Sequence, residues 1–228
     1  MRKPRPKETP ANDSSATSTP ERIITAAITT LREDGFAGTS ARSIARRGDF
    51  NQALIFYHFG TLIDLLVAAL ERVSADRLSQ YQTALAGVTD LGSALAIARS
   101  QYEADVREGH ITVLVELVAG ASSVPQLAPE IVRCLEPWLA FTEAQIKRFL
   151  RGTALASLIP SHDAAQAVIA LYLGMELLDH LDPSANTAKP LFIVAQRLHR
   201  AVDPLLSARP RAARNRPLRV PIDEPRKR

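Results

Sequence analysis

Residues 51–62 read NQALIFYHFGTL, and the polar pair that opens them can do specific chemistry. A glutamine side chain presents a donor and an acceptor in one plane, so Gln52 matches the major-groove edge of adenine with two hydrogen bonds. Ala53 and Leu54 beside it carry methyl groups of the kind that pack on a thymine methyl. Each good bidentate pair discriminates against the wrong base by about 1–3 kcal/mol. Such readout needs a carrier that presents Asn51, Gln52, Ala53 and Leu54 together.

By residue preference alone, Leu54 to Phe59 is a strand, since Ile, Phe and Tyr favour pleated surfaces. Its neighbours argue otherwise, because a lone strand among helices leaves backbone groups unpaired. We therefore expect a short helix capped by Asn51, with Leu54, Ile55 and Phe59 turned to a core and Asn51, Gln52, Ala53, Tyr57 and His58 outward. Upstream, Thr39 or Ser40 caps another short helix holding Ile44 and Ala45, which Gly48-Asp49 breaks. Two short helices around a tight turn make a helix-turn-helix: the first braces on the DNA backbone and the second puts its N-terminal side chains into the major groove. Before them, Ser18, Pro20 and Glu21 predict a helix start with a capping box, and Ile23, Ile24, Ala27, Ile28 and Leu31 keep helical spacing until Gly35. After them, Thr61 caps a long helix running to about residue 84.

The rest is also helical. Helices are expected over 91–106, 112–121, 130–151 (with Pro137 kinking it or marking a junction), 162–181 capped by Ser161, and from Asn186 or Thr187 to near Pro204, with a turn or short helix at 124–129. No segment alternates apolar and polar residues in a sustained way, so the fold is all-α.

Composition narrows the class. An apolar share of 46% fits a globular core, and no uncharged apolar run is long enough to span a bilayer. The start lacks a secretory pattern, and the single cysteine, Cys134, excludes an internal disulfide and any multi-cysteine zinc site. These features fit a cytoplasmic protein. The net charge of +4 belongs to the ends: residues 1–20 carry +2 and residues 208–228 carry +6, leaving −4 for the middle. Both ends read as disordered tails.

The ordered pattern IITAAITTLREDGFAGTSARSIA, then a turn, then ALIFYHFG, resembles the N-terminal domain of the TetR family of bacterial transcriptional repressors. The likeness covers residues 20–70, and FNQALIFYHFG is similar to a version common among actinobacterial members. The resemblance implies four segments: a basic tail at 1–19, a helix-turn-helix DNA-binding domain at 20–66, a ligand-binding and dimerisation domain at 67–207, and an Arg/Pro-rich tail at 208–228. It places Ser40 and Arg42 on phosphates or bases, Asn51, Gln52, Ala53 and Leu54 on bases, and Tyr57 and His58 on phosphates. Thr61 starts a helix whose first amides can hold a phosphate, and Arg46 and Arg47 add charge. Two positions depart from the family. Asp49 stands where a turn glycine is usual, and Leu62 where a lysine is usual. Losing that lysine removes one phosphate contact, worth about 0.9 of a unit in the salt-dependence slope.

For the second half the resemblance implies an unidentified small-molecule effector, a homodimer through the last two helices, and a double-stranded, palindromic DNA operator, with no cofactor, metal or membrane involved. Pocket walls are expected from Tyr102, Trp138, Phe141, Phe149, Tyr172 and Met175, with the carboxylates of Glu116 and Glu176 inside apolar helices. Two other classes stay open at this point. An all-α enzyme would rest on His58 with Asp64, or on Glu116 with Glu176, but no nucleophile, base and orienting group stand together. A helical interaction module with a degenerate DNA face would take Asp49 and Leu62 as its signs.

Overall fold

The computed structural model describes residues 18–207, apart from 183, 185 and 186, and only the backbone of residue 154 and of 202–207. The expectations for the two tails, and for Asn186 as a helix start, lie outside the described residues. Among the described residues the protein is all-α, without a strand. The helices are α1 (Thr19–Gly38), α2 (Ala41–Gly48), α3 (Ala53–Phe59), α4 (Leu62–Leu85), α5 (Leu91–Glu108), α6 (His110–Ala121), α7 (Leu127–Leu150), α8 (Ser161–Leu181) and α9 (Ala188–Ser207). A 3₁₀ turn at Ala154–Ser157, not foreseen from the sequence, joins α7 to α8. No single helix is long and apolar enough to cross a membrane.

Local chemistry explains most boundaries. Ser40 caps α2 by accepting from the Ser43 amide at 3.1 Å, while the Ser40 amide donates to the Ser43 hydroxyl at 2.8 Å. Asp49 ends α2 in the left-handed conformation at φ 51°, a region that Asp tolerates better than most side chains. The Asn51 carboxamide accepts from the Ala53 amide at 2.8 Å and so starts α3, with Gln52, not the expected Asn51, at the cap position itself. Asp90 caps α5 through the Ser93 amide at 2.7 Å.

Three further expectations about ends are corrected. Ser18 makes no side-chain cap, and the Glu21 carboxylate that would complete a capping box pairs with Arg72 of α4 instead. Ser161 is the first residue of α8 and not its cap; Pro160 occupies that place. The helix containing Pro137 begins earlier, at Leu127, and takes in Pro129 as well.

One core joins α1 to α4, α6 and α7. Ile23, Ala27, Leu31, Ile44, Ile55, Leu65, Val113, Leu117 and Leu127 are wholly buried in it. A boundary at 66/67 therefore falls inside both a continuous helix, α4, and a continuous core. A smaller cluster of Tyr102, Met175, Ala188 and Phe192 ties α5, α8 and α9.

Candidate nucleic-acid interface and internal cavity

The helix α3 sorts its residues cleanly. Ile55 is fully buried, and Leu54 and Phe59 pack against the same core. Gln52, Ala53, Phe56 and Tyr57 are exposed at positions that share one helical face. Tyr57 is 82% exposed and meets His58 edge-on at 4.9 Å. Asn51 and His58 are exposed too. Leu54 is thus an anchor of the helix more than a tip of it, while Phe56, overlooked in the sequence because it sits in an apolar run, belongs to the outward face.

Around α3 the charges divide into free and committed. Arg42 and Arg46 are exposed on α2. Arg47 is not available as expected: it pairs with Glu33 and, at 2.9 Å, with Asp34 of α1. Ser40 is exposed, with its hydroxyl engaged in the cap of α2. Thr61 also differs from expectation, since its amide and hydroxyl both donate to the Asp64 carboxylate, at 3.1 and 2.6 Å. That leaves the first turn of α4 with the amides of Leu62 and Ile63 ahead of its intrahelical bonds, beside a fixed negative charge.

Behind α6 lies a cavity of about 540 Å³ between α4, α5, α6, α7, α8 and α9. Trp138, Phe141, Phe149, Tyr172, Met175 and Glu176 line it, as the sequence suggests. Tyr102 does not. It is buried to the side, its hydroxyl donating to Asp179 at 2.8 Å, and that carboxylate also takes the Thr187 amide at 2.7 Å ahead of α9. Glu116 does not either. Its carboxylate reaches the other way and accepts the Phe36 amide at 2.7 Å.

Among the cavity residues that escaped the sequence reading are Arg77, Tyr81, Asp105 and His110. Arg77 and Asp105 are 4% and 1% exposed and form an ion pair. Asp105 further accepts the hydroxyls of Tyr172 at 2.7 Å and Tyr81 at 3.1 Å. Burial pushes the Tyr81 phenol up to about 12, so it stays a neutral donor. Only the i, i+4 spacing of Arg77 and Tyr81 on a helix hinted at a shared polar spot, and their partner lies on a different helix. Glu176 is 2% exposed. The nearby Tyr172 hydroxyl is given to Asp105, and neither oxygen of Glu176 has a hydrogen-bond partner. Burial pushes its carboxyl well above the usual range.

Helix α6 stands between cavity and DNA-binding helices. His110, Ile111 and Leu114 line the cavity. The Nδ1 atom of His110 lies 2.9 Å from Arg32 of α1 and its Nε2 atom 2.7 Å from Glu108. Burial lowers its pKa, favouring the neutral ring that accepts from Arg32 and donates to Glu108. Glu116 grips α1 at its break, where Gly35 adopts φ 68° and any Cβ would sit 3.1 Å from that carboxylate. Gly120 is tighter still, since a Cβ there would meet the Phe36 ring at 2.5 Å.

Comparison with known proteins agrees with this anatomy. The family model described as "Bacterial regulatory proteins, tetR family" matches residues 23–69. No curated protein matches the sequence. Among solved structures, the chain resembles the fatty acid degradation regulator FadR from Bacillus halodurans, with TM-score 0.67 and 15% identity over 80% of this chain and 95% of that one. It also resembles a TetR transcriptional regulator from Legionella pneumophila, with TM-score 0.64 and 18% identity over 81% and 98% of the two chains. The multidrug binding protein EbrR, solved with proflavin, gives TM-score 0.56 and 26% identity over 79% and 99%. Residues 23–69 thus match the tetR family of bacterial regulatory proteins, and the chain as a whole shares the fold of solved regulators of that kind.

Proposed function

We propose that this regulator is a homodimeric repressor that holds a palindromic operator through two copies of α3 and releases it when a small molecule fills the cavity. The observation that carries the reading is the outward face of α3, with Gln52, Ala53, Phe56 and Tyr57 exposed on a helix held by Leu54, Ile55 and Phe59. Gln52 is suited to an adenine edge and Ala53 to a thymine methyl. Asn51, Tyr57 and His58, with Ser40, Arg42 and Arg46 on the flanking helix, are suited to phosphates.

A two-fold operator requires a two-fold protein. Helices α8 and α9 supply a face for it: Leu178 and Leu181 on one and Val194 and Leu198 on the other are exposed, and Leu181 reaches 71%. Large apolar side chains at helical spacing, unpaired in the single chain, favour a bundle with their twins. Tyr172 and Met175, on the same helix, point to the cavity or its neighbouring core instead.

Release follows from the position of α6. A molecule pressing on His110, Ile111 and Leu114 moves a helix that grips α1 through Arg32, Phe36 and Gly35. The effector shifts the population only as far as it binds the released form better. EbrR's capture of proflavin supports the use of such a cavity as a receptor. Selection of fragments from a genomic library tests the reading. Sequence-selective recovery by the native chain, lost in Gln52→Ala and in Tyr57→Ala, is expected; recovery with no sequence preference at any salt concentration contradicts it.

A further inference from the structure

The cavity is almost entirely hydrocarbon, yet it contains one carboxyl group that the protein leaves unanswered. Glu176 is buried to 2% exposure, and both its oxygens lack a hydrogen-bond partner. A buried ionisable group without a partner is costly to keep, and replacing it by an apolar residue would be cheaper for folding alone. Among the described residues that line the cavity, no cation is free to meet it. Arg77, the cationic side chain of the lining, is paired with Asp105, which also holds the Tyr81 and Tyr172 hydroxyls. His110 is engaged with Arg32 and Glu108. The charged groups of the cavity therefore sum to a balanced ion pair and one surplus acid, beside which the Gln145 amide oxygen is the neutral acceptor left without a partner.

We propose that the effector is an apolar molecule carrying one cationic amine, and that the amine seats on Glu176. The inference rests on the cavity being the effector site and names the chemistry that the site selects. An anionic head group would meet a carboxyl and find Arg77 already neutralised, so it is disfavoured. A hydroxyl would give one neutral hydrogen bond. An ammonium group gives a charge-assisted bond in a low-dielectric setting and satisfies the lone acid, which is the stronger pairing. Aromatic walls such as Trp138 and Phe141 add to the attraction for a cation.

The test uses three probes of one chain length, decylamine, decanol and decanoate, each below its micellar concentration, titrated into the full chain. Trp138 is the protein's single tryptophan and lines the cavity, so its emission reports occupancy. Decylamine is expected to bind about 10- to 100-fold tighter than decanol, with decanoate weakest. In Glu176→Gln the amine's advantage should vanish, bringing amine and alcohol to about the same affinity. Decanol or decanoate binding as tightly as the amine to the native chain would overturn the amine assignment while leaving the cavity a receptor. An advantage that survives in Glu176→Gln would overturn Glu176 as the seat. Failure of all three probes to bind would overturn this inference and the effector cavity together. The head-group comparison in the native chain needs no variant to fold.

Discussion

Glu176 sits in hydrocarbon with neither oxygen bonded, so in the folded chain it keeps its proton well past the ordinary glutamate value of 4.5. Arg77, Tyr81, Tyr102, Tyr172 and Asp179 are the charged or titratable groups around it; the nearby Tyr172 hydroxyl and Arg77 favour its ionised form, and burial outweighs both. A folded pKa raised above the unfolded one contributes stability that is complete below about pH 4.5 and is lost as pH rises through the folded value. Glu176→Gln carries no such proton. Its stability relative to the native chain should therefore climb with pH, from little difference at pH 4 to a gain of about 1–3 kcal/mol at pH 8. Urea denaturation across that range measures it, and a difference that stays flat with pH would contradict the burial of an unpartnered acid. Asp49 shows the opposite economy: its side chain is exposed, and its value lies in tolerating φ 51° at the turn between α2 and α3.

At the level of elements, α6 is the piece that faces two ways. Its grip on α1 is concentrated in the Glu116 carboxylate at the Phe36 amide and in the close approach of Gly120 to the Phe36 ring. Glu116→Ala leaves a part-buried amide without its charged acceptor and should cost about 1.5–3 kcal/mol, while Glu116→Gln, which keeps an acceptor oxygen, should cost less. Denaturant midpoints of the two variants check this; equal losses would assign the effect to packing alone. The same helix shows where sequence reasoning stops. Glu116 and Glu176 both stand in apolar helical runs, and nothing local separates the one that holds α1 from the one that faces a cavity. Tertiary neighbours many residues away decide it. Ser18 adds to the lesson, since the Glu21 carboxylate that its capping box needs pairs with the distant Arg72. Where the partners are local, the reading succeeds: Ser40 with Ser43, Asn51 with Ala53 and Thr61 with Asp64 all form within three residues. Those short-range contacts make α2 and α3 legible, even though the residue preferences of α3 favour a strand.

At the scale of the whole molecule, the proposed function joins three parts: the exposed face of α3, the cavity behind α6, and the apolar face of α8 and α9. The last should hold two chains together. Leu198 of α9 is 61% exposed and Leu178 of α8 is 51% exposed, so Leu178→Glu with Leu198→Glu should leave the single-chain fold intact and give monomers in sedimentation equilibrium. With one half-site lost per complex, operator affinity should fall by about 10²–10⁴-fold. A double variant that stays dimeric would place the interface elsewhere. The central claim, that two copies of α3 read a two-fold site, is tested most directly by footprinting the native chain on a DNA fragment that it selects. The account predicts two protected segments related by two-fold symmetry, with centres about 34–36 Å apart, or a multiple of that. A single protected segment, or two without symmetry, would contradict it.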